Sequence, residues 1–277
     1  MNASNLLYDL EVFASNGVVF SKEQKATLQN SLTVTKAQYN FSRISFWGKI
    51  NGLKDDYFIA QGYRKNMKND ESSLQTLYSL NAADWCILEE VEQSVRDLAL
   101  TLRGRFIGDP SFSYDCIDPN PSNNIDNNNN NSTEENNNNK QDGGERFGQG
   151  DFKELQILEE SRLAAVVSEI SKTALAHPKH SICKDGSLNS QWAGLDGNQA
   201  IDISNWCDGT NGEMASEKCS TYWSIQKQRG LGVDCIHVVL RNLLWLGAIA
   251  FHTTETNQFG KIYVGTGEYN IDHSFMI

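Results

Sequence analysis

The sequence predicts an α+β fold with a largely antiparallel sheet, several packed helices and one asparagine-rich insertion. Three observations carry this. Apolar residues recur at helical spacing in three segments, period-two runs are separated by turn residues, and helices and strands never settle into βαβ alternation. The first helix is signalled by Leu6, Leu10 and Phe13, spaced i, i+4, i+7. The second starts at Ser21, where Ser21 and Gln24 form an S-x-x-Q capping box, and Leu28, Leu32 and Tyr39 then share a face. The pattern switches to period two over Ile44–Ile50, breaks at Asn51-Gly52 and resumes over Asp56–Gly62, which is a hairpin. Thr76–Leu80 reads as a short strand with a turn at Asn81–Asp84, and Val91–Leu102 as a helix. Gly104–Ser111 follows as a loop built on Gly-Asp-Pro turn chemistry.

Residues 118–150 differ in kind. They hold Pro119, Pro121, the asparagine runs and Gly143-Gly144, with almost nothing apolar, and so are predicted to be disordered. A helix follows with Leu163, Val166, Val167, Ile170 and Ala174 on one stripe, and Pro178 is expected to stop it. Residues 180–220 are weakly patterned. Strands are predicted within Tyr222–Gln226, Val233–Phe251 and Lys261–Gly265, with a turn at Asn257–Gly260. The chain thus divides into residues 1–117 (N-terminal helices and hairpin), 118–150 (the insertion) and 151–277 (a helix plus C-terminal strands completing one globular unit).

The 277 residues carry 24 basic against 35 acidic side chains, a net charge of −11. Such a surface repels a phosphate backbone and anionic lipid alike, which excludes broad nucleic-acid or membrane-surface binding. The opening MNASNLLYDLEVF has no basic n-region, so no signal peptide is expected. The longest apolar run, Cys235–Phe251, is interrupted by His237, Arg241 and Asn242 and is too short for a membrane span. A soluble intracellular chain is expected, with its six scattered cysteines as free thiols and its sequons unglycosylated.

The search for chemistry is mostly negative. His177, His180 and Cys183 form an H-x2-H-x2-C cluster to which Cys207 or Cys219 could add a ligand, but no close C-x2-C pair exists. The alternative function this suggests is a zinc-binding or thiol-dependent enzyme. Val264–Gly267 contains G-x-G after a strand, without the third glycine and helix that a dinucleotide needs. Cys235 and His237 share one side of a strand with no third group to orient them. The adjacent carboxylates Asp55-Asp56 and Glu159-Glu160 read as solvated. No cofactor and no catalytic residue is assigned. Trp47, Trp85, Trp223 and Trp245 are core candidates, and any left exposed would suit an interface.

Several segments, taken in order, resemble the radial spoke head protein 9 family of axonemal subunits. They are Phe46-Trp-Gly-Lys-Ile50, Asp56–Gly62, Thr76–Asn81 with Trp85, Gly104–Ser111 and Glu159-Glu-Ser-Arg-Leu163. The resemblance is strongest in Trp223–Gln226, Val238–Trp245 and Tyr263–Glu268. The family typically has a proline where this chain has Leu246. The resemblance implies a non-enzymatic subunit of the cilium or flagellum axoneme. It would pair with larger related head subunits and face central-pair projections, in a head that regulates dynein-driven beating. For docking, the C-terminal strand is the candidate because a terminal strand is easily left at a sheet edge, and its candidate contact residues are Lys261, Tyr263, Gly265 and Gly267.

Overall fold

A computed structural model describes residues 1, 5–65, 72–117, 154–183, 188–207, 222–230 and 235–275. The insertion expected to be disordered lies outside these residues. The chain is α+β: the described residues form four α-helices and one large, mostly antiparallel sheet.

Helix α1 (Leu6–Ala14) and helix α2 (Lys22–Gln38) come first. The capping box at Ser21 is present in full: Gln24 N–H donates to Ser21 Oγ at 3.1 Å and Ser21 N–H donates to Gln24 Oε1 at 3.0 Å. Strands β1 (Arg43–Ile50), β2 (Tyr57–Lys65), β3 (Ser72–Ser79) and β4 (Cys86–Leu88) follow, then α3 (Gln93–Thr101). Beyond them are β5 (Ser113–Ile117), β6 (Glu154–Leu158), α4 (Glu159–Thr173), β7 (His177–Pro178) and β8 (Trp206–Cys207). The chain ends in β9 (Trp223–Arg229), β10 (Ile236–Asn242), β11 (Ala248–Thr253) and β12 (Phe259–Gly265). Helix α4 ends at Thr173, before Pro178, which instead pairs in β7 with Trp206. Among the described residues, no helix is long and apolar enough to cross a membrane.

Eight strands form one sheet in the order β4-β3-β2-β1-β12-β11-β10-β9. All neighbours are antiparallel except β1 and β12, which run parallel and pair from Gly48↔Tyr263 to Ile50↔Gly265. Strands from both sides of the insertion therefore share one sheet.

The sheet is covered on both faces. Helices α1 and α2 lay Leu6, Leu10, Phe13, Leu28 and Leu32 against Phe46, Phe58, Phe251 and Ile262. On the opposite face α4 lays Leu163, Val166, Val167 and Ile170 against Trp47, Ile50, Tyr57 and Tyr263. A satellite core continues that face around Trp206, Trp223 and Val238. Strand β1 serves both cores through a bulge. Ile44 and Phe46 face α1 and α2, but after the register shift between Phe46 and Gly48 the even-numbered Ile50 faces α4. Gly48 sits at this bulge with φ +148°, and a Cβ there would lie 1.9 Å from the Tyr263 carbonyl oxygen. Only glycine lets β12 close against β1.

Candidate functional site

The segments that carry the family resemblance converge at one end of the sheet, where β1 and β12 finish. Their organising group is Glu159, the first residue of α4. Its chain path is fixed by the β5–β6 hairpin, which ends at Ser113↔Leu158 and passes straight into the helix. The helix start has no side-chain cap. Instead Glu159 N–H donates to Phe112 O at 2.8 Å and Glu160 N–H to Pro110 O at 3.2 Å, which satisfies two orphan donors.

Glu159 is fully buried, so the expectation that the Glu159-Glu160 pair is solvated fails for its first member. A buried carboxylate is tolerated only when its lone pairs are filled, and here five donors fill them. Oε1 accepts from Tyr57 Oη at 2.7 Å, Gly108 N at 2.7 Å and Asp109 N at 3.1 Å. Oε2 accepts from Ile107 N at 2.8 Å and from Tyr114 Oη. Burial alone would raise this carboxyl's pKa, but the bonds from Tyr114, Tyr57, Ile107 and Gly108 outweigh it and hold the group below the usual range. The phenols move the other way. Burial and the Glu159 bond raise Tyr57, and the same causes push Tyr114 up to about 12, so both stay protonated donors.

One turn along α4, Arg162 is buried as well. Nη1 donates to Tyr114 Oη at 3.0 Å and Nη2 to Gly104 O at 2.6 Å, and the guanidinium lies 4.4 Å from the Phe106 ring centroid. Tyr114 thus links the buried anion to the buried cation through its hydroxyl. Glu159 and Arg162 together hold the Gly104–Ser111 loop from both sides.

That loop joins the other segments. Leu53 N–H donates to Phe106 O at 2.9 Å, and Lys54 N–H donates to Ile107 O at 2.8 Å. Gly104 N–H donates to Glu268 Oε1 at 3.0 Å. Asn51 N–H reaches Gly265 O at 2.8 Å, and Asn270 N–H reaches Leu244 O at 2.7 Å. Asn242 Oδ1 accepts from the N–H groups of Leu244 and Trp245, and Trp245 packs edge-on against Tyr269 with centroids 5.5 Å apart. This rigid framework leaves large apolar side chains in solvent: Leu53 (60% exposed), Leu246 (49%), Tyr269 (42%) and Ile271 (65%).

The residues expected at the interface are placed differently. Strand β12 lies between β1 and β11 in the interior of the sheet, so the expected edge position is overturned. Its run is apolar because it is covered on both faces, and Tyr263 is fully buried. Gly265 and Gly267 do reach the loop-bearing end, where Gly267 N–H donates to Tyr263 Oη at 2.9 Å and its Cα packs against Phe106. Lys261 is partly exposed and lies towards the opposite end. The edges of the sheet are β4 and β9.

Among the described residues, the other candidates are not gathered into one cluster. His177 is buried in β7, whereas His180 and Cys183 are exposed in the following loop. Among the described residues, no three His, Cys, Asp or Glu side chains are grouped to hold a metal. Cys219 lies outside the described residues. His237 does have an orienting partner, Thr253 Oγ1 at 3.0 Å from Nδ1, but Cys235 Sγ is 3.9 Å from Nε2. Burial lowers the His237 pKa, leaving a neutral ring packed against Phe251. Cys86, Cys116, Cys183 and Cys235 are free thiols.

A family model described as radial spokehead-like protein matches residues 1–169. A radial spoke head protein 9 homolog from Danio rerio is 35% identical over 310 aligned residues, covering the whole of both chains. Proteins of the same description from Bos taurus and Homo sapiens are 31% and 30% identical, again over the whole of both chains.

Proposed function

The chain belongs to the radial spokehead-like protein family, and on that premise we propose that it is a non-enzymatic structural subunit of the axonemal radial spoke head. Its work is docking, through the loop-bearing end of the sheet, against other head subunits. By holding its place in the head it helps pass central-pair signals to the dyneins that drive beating. The observation that carries this reading is the convergence of Tyr57, the Gly104–Asp109 loop and Tyr114 on the buried Glu159–Arg162 pair, at the end of the sheet where Leu53, Leu246, Tyr269 and Ile271 stay exposed. Buried charges rigidify the loop backbones, and exposed aliphatic and aromatic groups on a rigid base suit a protein interface. A framework fixed in advance also loses little conformational freedom on assembly.

The test uses the tagged full-length chain in ciliated cells, beside a Leu246→Asp/Ile271→Asp double variant. Wild type should stay with the detergent-resistant axoneme and leave it in chaotropic salt together with other head subunits. The variant, with unchanged thermal unfolding, should shift to the soluble pool. Retention of the variant at wild-type level would move the docking face elsewhere, and a wholly soluble wild type would end the subunit reading.

A further inference from the structure

The far half of α4 holds a second feature. Gln61, Thr76 and Leu88 lie directly opposite one another on β2, β3 and β4, so their side chains form one row on the face that α4 covers. On α4, Ala164, Val167, Ser168, Ser171 and Lys172 follow the i, i+3, i+4, i+7, i+8 stripe that meets this row. A helix laid on a sheet ordinarily makes an apolar contact. Here row and stripe turn polar at the same level, and a cavity of about 230 Å³ opens between them. That volume is below the roughly 300–1,000 Å³ of drug-sized sites, so its occupant is a smaller molecule. Arg96 of α3 closes one side. Its Nε is buried without a hydrogen-bond partner, and its guanidinium makes no ion pair among the described residues. A buried donor left without an acceptor costs stability until something supplies one. Ser171 Oγ has no such need, because it accepts from Trp47 Nε1 at 2.8 Å and donates to Val167 O at 2.6 Å. Leu88 and Val167 are buried and form an aliphatic floor, while Glu89, Glu90 and Lys172 are exposed at the mouth. The two cations and two carboxylates of the cleft sum to zero, which suits a ligand that carries both signs and no net charge.

We propose that this cleft binds a small zwitterion of the free aliphatic α-amino acid class, its carboxylate on Arg96, its ammonium group toward Glu89 and Glu90, and its side chain on Leu88 and Val167. The site is separate from the docking end and does not depend on the subunit reading: Ser168 stands nine residues beyond Glu159, about 14 Å along the helix. A ligand without the carboxylate would leave the Arg96 donor unmet, and one without the ammonium group would bring an uncompensated negative charge past two glutamates.

The test is saturation-transfer NMR of the full chain with L-leucine and, separately, with isoamylamine, which lacks the carboxylate, and isocaproate, which lacks the ammonium group. A saturable signal is expected with leucine, at an affinity about tenfold or more above that of either analogue, as the loss of a charge-assisted contact implies. Arg96→Met keeps an unbranched stem in place and removes the guanidinium. It should abolish leucine binding and leave the thermal midpoint unchanged or higher, because the buried Nε has no bond to lose. No saturable signal with leucine, or either analogue binding as tightly as leucine, would overturn the proposal without any variant having to fold. Wild-type leucine binding by a folded Arg96→Met protein would also overturn it.

Discussion

Replacing Glu159 with glutamine keeps the size of the side chain and removes its charge. The glutamine carbonyl can take the place of Oε1 and keep the bonds from Tyr57, Gly108 and Asp109. Its amide group must then occupy the place of Oε2, facing Tyr114 Oη and the Ile107 N–H. The phenol can rotate to accept, but the Ile107 N–H becomes a buried donor facing another donor, at a cost of about 1–3 kcal/mol. The three surviving bonds lose charge assistance worth about 1 kcal/mol each, partly offset because a neutral group is easier to bury. The net loss is about 3 kcal/mol. For a folded body of this size that lowers Tm by roughly 6–12 °C, measured by circular dichroism at pH 7. The variant also removes an acid-sensitive contribution. Because the folded-state pKa of Glu159 is depressed, its stabilisation is complete above the unfolded value of about 4.3 and is lost as pH falls through the folded value. The gap between wild type and variant should therefore narrow below about pH 4. A Tm change corresponding to less than about 1 kcal/mol, or a gap that widens in acid, would refute the assignment of Glu159 as the organising charge.

Two further outcomes follow from local geometry. Ser21→Ala removes the exposed half of the α2 capping box and should cost about 1 kcal/mol, read as a lower denaturant midpoint at unchanged m-value. Gly48→Ala puts a methyl group into the Tyr263 carbonyl and should abolish soluble folded protein. Gly17→Ala, at φ +90° with open space around the Cβ position, should cost only about 1 kcal/mol, and equal behaviour of the two in a solubility and unfolding assay would contradict the account of the bulge.

What the sequence made legible was local. The Ser21 capping box, the β1–β2 hairpin and the α4 stripe all depend on residues within a few positions of one another, and each is where its pattern puts it. The position of β12 depends on a partner more than 200 residues away, and periodicity cannot report a parallel pairing at that distance. A signal was nonetheless present. Ala248–Phe251 and Ile262–Val264 are runs of consecutive apolar residues, as expected of strands covered on both faces rather than of an edge. Glu159 was misread for a related reason: two adjacent glutamates at a helix start usually face water. Only the fold brings Tyr57 and the Gly108 loop to one of them. Glycine in Gly104–Ser111 was legible as turn chemistry, but not the reason for Gly108, whose φ of +91° lets the loop pass against Asp55.

The parallel β1–β12 pair also dictates the order in which the molecule can be finished. A ribosome releases β1 early and β12 last, so every nascent chain passes through a stage in which β1–β4 present an open, apolar edge. A chain that ends before β12 leaves that edge open and α4 without the Tyr263 surface on which it packs. A premature stop anywhere upstream of Phe259 would therefore yield a sticky, unsealed sheet rather than a smaller working part, however little coding sequence is missing.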